Sequence, residues 1–292
     1  MELELKRGGR TARVETLGGE LVSYRDERGL EYIWGGDPAY WPGRNPLLFP
    51  IVGMLKEGKI RFDGREYAME RHGFARRREF TPAARGEDWV RLELRESAET
   101  LALYPYSFRL AVEQRLTDTG FSTAVTVANP GEGTLPFCLG AHTGFRCPLE
   151  AGERFEDYEL VFPERESCPT LLLRDGLLDR PAALPCLEDT DTLPLDYRWF
   201  DALDTLIFEG LRSRSVTLRS RKSGRGVRVS FDGFPMLAFW TMPGKKAPYL
   251  CIEPWHGCSA GTGEGEEFTS KAHCIVLAPG ESRTLAYRAD TL

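Results

Sequence analysis

Three short segments of the chain carry side chains that can exchange protons with a substrate. YLCIEPW leads an apolar run directly into Glu253, while HGFAR and GAHTGF each place a histidine, His72 and His142, beside glycine and phenylalanine. Glycine lets the backbone approach a ligand closely, and phenylalanine offers an apolar wall. One carboxylate and two imidazoles in such settings predict general acid–base chemistry in a pocket.

Glu253 follows Leu250, Cys251 and Ile252, a setting in which burial raises a carboxyl pKa towards the range of a general base. A glutamate on an edge strand, exposed to water, is an equally good interpretation. Trp255, two residues further on, lies on the same side of a strand, where its ring can support the apolar face of a pyranose. Core packing is the alternative for this tryptophan.

Histidines are scarce, and each taken alone is more often structural than catalytic. The glycines beside His72 and His142 favour a functional interpretation of those two. His256 and His273 lack such a setting, and we expect them to be structural.

Other catalytic classes fit the chain less well. Glycoside hydrolysis by two carboxylates needs a second acidic residue, and the best candidate, Asp204 in DALDTLIF, has no obvious aromatic neighbour. The G-x-S-x-G elbow of serine hydrolases does not occur, and neither G-x-G-x-x-G nor a P-loop stands in a strand-to-helix context. The sequence therefore predicts no cofactor and no metal site.

The overall charge limits the partners of this 292-residue chain. A net charge of −6 and a pI near 5.5 argue against nucleic acid, since that affinity depends on clustered lysine and arginine. The basic run Arg212–Arg228 alternates charged and apolar residues around SGRG, which predicts a hairpin with one face in water. The run Arg71–Arg78 contains His72 and is less readily explained by solvation alone.

The seven cysteines show no C-x-x-C spacing, which argues against a disulfide framework or a zinc knuckle and favours reduced thiols. The amino terminus does not resemble a secretory leader, and no apolar run approaches the roughly 18 residues that cross a bilayer. We therefore expect a cytoplasmic protein without a membrane partner, either a monomer or a homodimer.

Alternation of apolar and polar residues dominates the chain, as in LELKRGGRTARVETL, WVRLELRE and GVRVSF. GKIRFDGREYAM adds an Asp-Gly turn at Asp63 and Gly64, the strongest hairpin signal. Helical periodicity is limited to a weak hint in LEDTDTLPLDYRWFDALDTLIF. Half-apolar antiparallel strands in this number must pair two sheets, so the pattern predicts an all-β, large antiparallel β-sandwich that forms a single domain over residues 1–292.

The segment Leu149–Pro194 is rich in proline, glutamate and aspartate and weak in alternation. We expect loops or edge-strand excursions there, because a long structureless stretch is unusual inside a domain. Part of this segment should line or rim the active site.

Five segments, taken in order, resemble the aldose 1-epimerase (galactose mutarotase) family: NPLLFPIVG, HGFAR, YPYSFRL, GAHTGF followed by CPL, and CIEPWHG. The similarity extends from about Asn45 to the final YRA strand and is greatest for the bacterial epimerase-like branch. It implies a galactose mutarotase-like β-sandwich, in agreement with the strand pattern, and a carbohydrate-binding isomerase of carbohydrate metabolism.

The resemblance also implies a role for individual residues. Glu253 matches the general base of the family, His142 the general acid that protonates the ring oxygen, and His72 a second histidine that holds or polarises the sugar. The other candidate substrate-binding residues are Arg76, Asp204, Arg44 and Trp255.

Two positions depart from the family pattern. Met54 stands where an arginine that binds substrate is usual, and Thr143 stands where proline is usual. The missing arginine implies that Arg44 or Arg76 replaces it. These departures affect the identity of the substrate more than the catalytic step.

The resemblance implies a cofactor-independent aldose 1-epimerase that interconverts the α and β anomers of a hexose by acid–base-catalysed ring opening. A hexose-6-phosphate 1-epimerase is a close alternative, in which extra arginines bind the phosphate. The partner is then a small-molecule sugar or sugar phosphate. A non-catalytic sugar-binding protein and a glycoside hydrolase or lyase on a similar sandwich are the remaining hypotheses.

Overall fold

A computed structural model describes residues 1–180 and 182–292 of the chain. Strands contain 52% of the residues and helices 8%, which confirms the all-β prediction. The strands are β1 (Glu2–Arg7), β2 (Arg10–Glu15), β3 (Glu20–Arg25), β4 (Leu47–Leu48), β5 (Lys59–Phe62), β6 (Arg65–Ala68), β7 (Thr81–Arg85), β8 (Trp89–Arg95), β9 (Arg109–Leu116), β10 (Gly120–Ala128), β11 (Leu135–Phe137), β12 (Leu139–Ala141), β13 (Thr143–Arg146), β14 (Tyr158–Arg174), β15 (Leu177–Pro194), β16 (Thr205–Glu209), β17 (Ser215–Ser220), β18 (Gly226–Ser230), β19 (Met236–Trp240), β20 (Tyr249–His256), β21 (Ile275–Leu277) and β22 (Ser282–Thr291).

Helices are few and short in the part of the chain that the structure describes. The α-helices are α1 (Ala98–Leu101) and α2 (Tyr197–Leu203), and 3₁₀ helices lie at Lys56–Gly58, Ala75–Arg77, Phe155–Asp157 and Phe268–Ser270. Helix α2 lies within the segment with the weak helical hint, and the Asp196 carboxylate caps it by accepting the backbone N–H of Arg198. Among the described residues, no helix has the length and apolar character needed to cross a membrane.

A large antiparallel sheet of 15 strands dominates the described residues. Its strand order is β4-β12-β20-β19-β16-β14-β17-β18-β22-β10-β9-β8-β7, with β13 also paired to β20 and β15 to β14. A separate sheet, β1-β2-β3, packs against β9, and the pairs β5–β6 and β11–β21 lie outside both sheets. The large antiparallel β-sandwich is thereby confirmed. Its organisation as a single domain over residues 1–292 stays a prediction.

The core forms from the apolar positions of the alternating strands. In β10, Val125 lies opposite Leu285 of β22 and Val112 of β9, and all three side chains are buried. The residues between such positions, Ser122 and Thr126 among them, are only half-buried. Full burial of a valine or leucine side chain contributes roughly 1.5–3 kcal/mol. The alternation of apolar and polar residues in the sequence therefore determines which face of each strand packs into the core.

Both hairpins expected from turn residues are present. Asp63 and Gly64 join β5 to β6 with φ angles of 50° and 74°, a left-handed pair that matches the right-handed twist of the flanking strands. The pair β17–β18 surrounds the SGRG segment, with Gly224 at a φ of 75°. Both hairpin predictions are confirmed. A turn of this kind depends only on residues that are adjacent in the sequence, so it can be predicted without the tertiary structure.

Strands β14 and β15 form one long hairpin, and β15 pairs with β14 at the side of the main strand order, so most of Leu149–Pro194 is an edge-strand excursion rather than a loop. The register between them shifts at several points from Val161 to Leu172. The shifts are of one or three residues, and each such odd shift exchanges the two faces of the strand relative to its partner, which hides the strand pattern in the sequence. Near the tip, Leu173 lines the cavity described below.

Candidate active site

A cavity of about 270 Å³ opens beside β20, where the β12–β13 connection meets the loops that precede β5 and β16. This volume is slightly below the roughly 300–1,000 Å³ of ordinary ligand pockets, a size that limits the cavity to one small molecule. The cavity is lined by Trp41, Pro46, Gly53, Arg71, His72, Arg76, His142, Leu173, Asp204, Thr205, Trp240, Met242, Glu253, Trp255 and Ser259. Every predicted site residue except Arg44 belongs to this set.

Glu253 lies in the interior of the large sheet. Strand β20 pairs with β19 on one side, where Glu253 is opposite Ala238, and with β12 and β13 on the other. The carboxyl side chain is 1% exposed, so Glu253 is not a glutamate on an exposed edge strand. Burial raises the pKa of Glu253 well above its usual range, and the opposing effect of the Trp255 indole N–H is outweighed.

His142 contacts Glu253 directly. It lies between β12 and β13, and its Nε2 atom is 3.3 Å from Glu253 Oε1. Burial lowers the pKa of His142 to about 3, and the positive charges of Arg76 and Arg71 act in the same direction. His142 Nδ1 and Glu253 Oε2 are buried without a hydrogen-bond partner in the described part of the chain. The pair therefore has hydrogen-bonding capacity left for a ligand.

Aromatic rings enclose His142. The Trp41 ring lies over the imidazole, with ring centroids 4.8 Å apart, and Trp240 approaches it edge-on at 5.6 Å. The Trp34 indole N–H donates to the Trp41 carbonyl at 2.8 Å, which anchors the segment that carries Trp41. Trp255, 5% exposed, forms a further wall on the same face of β20 as Glu253. These rings cover much of the imidazole and provide flat apolar surfaces.

His72 is held by its own backbone conformation. His72 and Gly73 both have positive φ angles, 66° and 68°, and a Cβ on Gly73 would lie 2.2 Å from the Phe49 carbonyl oxygen. The imidazole Nδ1 accepts the backbone N–H of Gly53 at 3.0 Å. Burial lowers the pKa of His72 well below its usual range, with His142 adding to the effect. The neutral ring thus carries its proton on Nε2.

Charged side chains complete the cavity wall. Asp204 follows α2 with a φ of 62° and accepts the Thr205 hydroxyl at 3.0 Å. Arg76 donates from Nη2 to the Arg71 carbonyl at 2.7 Å, and burial lowers the pKa of Arg76. Both Arg71 and Arg76 line the cavity, so two guanidinium groups and two carboxyl groups, those of Asp204 and Glu253, meet there.

Arg44 lies elsewhere. Its Nε donates to the Gly35 carbonyl at 3.2 Å and its Nη1 is 3.9 Å from Glu15, so the structure does not bring this guanidinium into the cavity. Arg71 is there instead, a residue that the sequence analysis did not select. Its position directly before HGFAR, within the unexplained basic run, was the available signal.

Trp41, Met242 and Ser259 were missed for a different reason. They come from irregular segments or strand ends without a motif around them, and only the fold brings them to the cavity. His256 and His273, in contrast, have the structural role expected. His273 Nε2 contacts Glu209, and His256 Nδ1 lies 2.8 Å from the His273 carbonyl oxygen.

One group of side chains among the described residues has the spacing of a metal site. Ligand atoms of His142, Cys251 and Glu253 lie within 4.8 Å of one another, and nitrogen, sulfur and oxygen donors of this kind suit Zn²⁺. Burial raises the pKa of both the Cys251 thiol and the Glu253 carboxyl, so a metal would displace protons from both. The contact between His142 and Glu253 can transfer protons without a metal.

The fold and the cavity agree with a match to a known family. The aldose 1-epimerase family profile matches residues 1–289, and the chain belongs to that family, whose reaction is an isomerisation. Protein LacX, encoded on a plasmid of Lactococcus lactis subsp. lactis, is 41% identical over 295 residues that cover 98% of each chain.

Solved structures are similar over the whole chain. A galactose mutarotase related enzyme from Lactobacillus acidophilus superimposes with a TM-score of 0.95 and 27% identity, covering 100% of this chain and 97% of that one. A galactose mutarotase-like protein from Lactobacillus casei has a TM-score of 0.93 and 27% identity, with 100% of both chains covered. The resemblance found in the sequence is thereby confirmed.

Proposed function

We propose that this protein is an aldose 1-epimerase that interconverts the α and β anomers of a hexose, with Glu253 as the base and His142 as the acid. The observation that carries the proposal is the 3.3 Å contact between Glu253 Oε1 and His142 Nε2 at the wall of a small cavity. Two proton-transferring groups in contact can act on the same C–O bond.

Ring opening of a cyclic hemiacetal moves two protons. The base removes the proton of the C1 hydroxyl, the acid donates a proton to the ring oxygen, and the bond between C1 and that oxygen breaks to leave an aldehyde. After rotation about C1–C2 the two groups act in reverse, and the ring closes on the other face of the carbonyl. General acid–base catalysis contributes typically ~10²–10⁴-fold per well-placed group.

The pair enters this cycle with one proton to transfer. Burial favours the uncharged form of each group, so the proton rests on the Glu253 carboxyl before substrate binds. Glu253 becomes the base once that proton has crossed to His142 Nε2. The 3.3 Å contact allows this transfer without rearrangement of either side chain. Ring opening leaves the proton on Glu253 again, ring closure in reverse regenerates the charged pair, and return of the proton from His142 Nε2 to Glu253 restores the starting state.

Substrate binding uses the remaining polar groups of the cavity. His72 presents Nε2–H to a sugar oxygen because Nδ1 already accepts the Gly53 N–H. Asp204 accepts hydrogen bonds from sugar hydroxyls, and Arg71 takes the place of the arginine that the family pattern has at Met54. Trp255 supplies an apolar surface for the pyranose ring.

A hexose 6-phosphate is the second candidate substrate. Arg71 and Arg76 both line the cavity, and Arg76 Nε is buried without a hydrogen-bond partner among the described residues. A phosphate oxygen satisfies such a donor and gains from the charge of both guanidinium groups. A free hexose needs only one of these two guanidinium groups. The presence of both therefore favours a substrate that carries an anionic group.

An anomer-exchange assay tests both candidates. The α anomers of free hexoses and of hexose 6-phosphates are followed by polarimetry or NMR exchange, and the spontaneous rate in buffer is subtracted. We expect faster exchange for at least one sugar, and for a phosphorylated substrate Arg76→Gln should raise KM far more than for the free hexose. Sugar binding without acceleration would support the sugar-binding protein, and release of sugar from glycosides would support the hydrolase.

A further inference from the structure

Two cysteines lie opposite each other at the end of the strand pair β11–β21. In that pair Leu135 is opposite Leu277 and Phe137 is opposite Ile275. One more step along the same register places Cys138 opposite Cys274. Residues directly opposite in an antiparallel pair have Cα atoms about 4.5–5.5 Å apart, within the range of about 4.4–6.8 Å that a disulfide spans.

The two thiols lie near enough for each to shift the pKa of the other, but their surroundings differ. The Cys138 side chain is fully buried beneath Gly257, where an added Cβ would lie 2.7 Å from Cys138 Sγ. Cys274 is only half-buried. An oxidant that arrives from solvent therefore meets Cys274 first.

Neighbouring groups make Cys274 the more acidic of the two thiols. The Cys138 thiol lowers the pKa of the Cys274 thiol, and the positive charge of Lys271 acts in the same direction. Lys271 is itself buried, with Nζ 3.1 Å from Glu264. Cys274, together with burial, raises the pKa of Cys138. A partly exposed thiol with a lowered pKa beside a buried thiol is the arrangement of an attacking and a resolving cysteine.

We propose that Cys138 and Cys274 are a redox modification site at which a hydroperoxide introduces a disulfide. The Cys274 thiolate attacks one oxygen of the peroxide, the O–O bond breaks, and the other oxygen leaves as an alcohol or as water. Cys138 then attacks the sulfur of the resulting sulfenic acid, and water leaves with the Cys138 proton. Two thiols are oxidised by two electrons as one peroxide bond is reduced. This site is independent of the proposed epimerase activity.

Cys168 and Cys186 form an internal control. They lie on neighbouring strands, β14 and β15, but the register places Cys168 opposite Leu187, so Cys186 is one residue out of position. Burial raises the pKa of both thiols, that of Cys186 to about 12. These two cysteines should stay reduced under conditions that oxidise Cys274.

Peptide mapping of the native protein tests the proposal. Reduced protein is treated with a small molar excess of hydrogen peroxide, alkylated under denaturing conditions, and digested without reductant. We expect two of the seven thiols to become unreactive, the intact mass to fall by two hydrogens, and one cross-linked peptide to contain Cys138 and Cys274. Seven surviving thiols, or a Cys168–Cys186 bridge that forms first, overturns the proposal.

Single substitutions separate the two roles. With Cys138→Ser, the Cys274 sulfenic acid has no resolving thiol and should accumulate in a form that dimedone traps. With Cys274→Ser, Cys138 should stay reduced at the same peroxide dose. Dimedone labelling of Cys138 in the Cys274→Ser variant, or sulfinic acid at Cys274 of the wild type with Cys138 still reduced, contradicts the assigned order.

Discussion

In the proposed mechanism, Glu253 and His142 act in the same ring-opening step, so the loss of either side chain should disable it. Glu253→Gln and His142→Asn should each lower kcat about 10²–10⁴-fold, with sugar affinity nearly unchanged. The kcat of the double variant should be little lower than that of the less active single variant, because the two groups act as a unit. NMR exchange at saturating sugar measures all three.

Two residues outside the cavity provide matched controls. Glu166 is 1% exposed, like Glu253, but its carboxylate accepts the backbone N–H groups of Arg212 and Ser213. His256 is half-buried at the end of β20. Glu166→Gln and His256→Asn should retain near-wild-type kcat. If Glu253→Gln also retained it, the assignment of the base would be wrong.

The pH dependence follows from the single proton that the pair shares. Burial lowers the pKa of His142 to about 3, so a second proton binds only in strong acid. Burial also raises the pKa of Glu253, so the shared proton leaves only well above the usual carboxyl range. We therefore expect kcat/KM to stay level across pH 6.5, where an ordinary histidine titrates, to fall near pH 3, and to fall again on the alkaline side.

The measurement is kcat/KM against pH, with the spontaneous exchange subtracted and folding checked by circular dichroism at each pH. A limb of the profile with its midpoint near 6.5 would mean that water reaches His142 in the working enzyme.

At the scale of elements, the turn at Gly73 determines where His72 lies. Gly73→Ala combines a left-handed φ of 68° with a Cβ 2.2 Å from the Phe49 carbonyl oxygen, so the loop must move and His72 with it. Gly64→Ala is the control, because Gly64 has a φ of 74° and nothing within 4 Å of its added Cβ. Backbone strain should lower the free energy of unfolding of the control by about 1–2 kcal/mol. Gly73→Ala should lower it further and should also raise KM.

Urea unfolding measures the free energy of unfolding of each variant, and the anomer-exchange assay measures its KM. An unchanged KM in folded Gly73→Ala would show that the position of His72 is unimportant for binding.

The anchored segment that carries Trp41 controls access of water to His142. Removal of the ring in Trp41→Ala exposes the imidazole, so the pKa of His142 should rise from about 3 towards 6.5. The acid limb of kcat/KM should then move to higher pH, whereas Trp41→Phe, which keeps an aromatic cover, should shift it less. An acid limb that does not move in Trp41→Ala would assign the low pKa to burial by other groups.

At the scale of the whole molecule, the single-domain prediction has a direct test. Strands from β1 to β22 contribute to one hydrophobic core, so the chain should unfold in a single cooperative transition. Urea curves from tryptophan fluorescence, which reports on the cavity, and from far-UV circular dichroism, which reports on the sheets, should coincide. Two separated transitions would divide the chain into independent units.

The cytoplasmic location, the absence of a nucleic-acid partner and the monomeric or homodimeric state stay predictions. Sedimentation at several protein concentrations distinguishes monomer from homodimer.

By itself, the sequence determined the strand-rich fold, the two turn-directed hairpins and six of the fifteen residues that line the cavity. These features depend on local patterns: alternation that separates a buried from an exposed face, Asp63 and Gly64 in left-handed conformations, and short motifs around His72, His142 and Glu253. Local patterns survive in the sequence because each involves residues close together in the chain.

Only the tertiary structure decided which distant residues join them. It brought Arg71 rather than Arg44 to the cavity, placed Trp41 over His142, and brought together the strand ends that carry Cys138 and Cys274. It also paired β14 with β15 through shifts in register that erase the alternation. Such contacts depend on strand order and register across the whole sheet, and no period or motif within one segment encodes them.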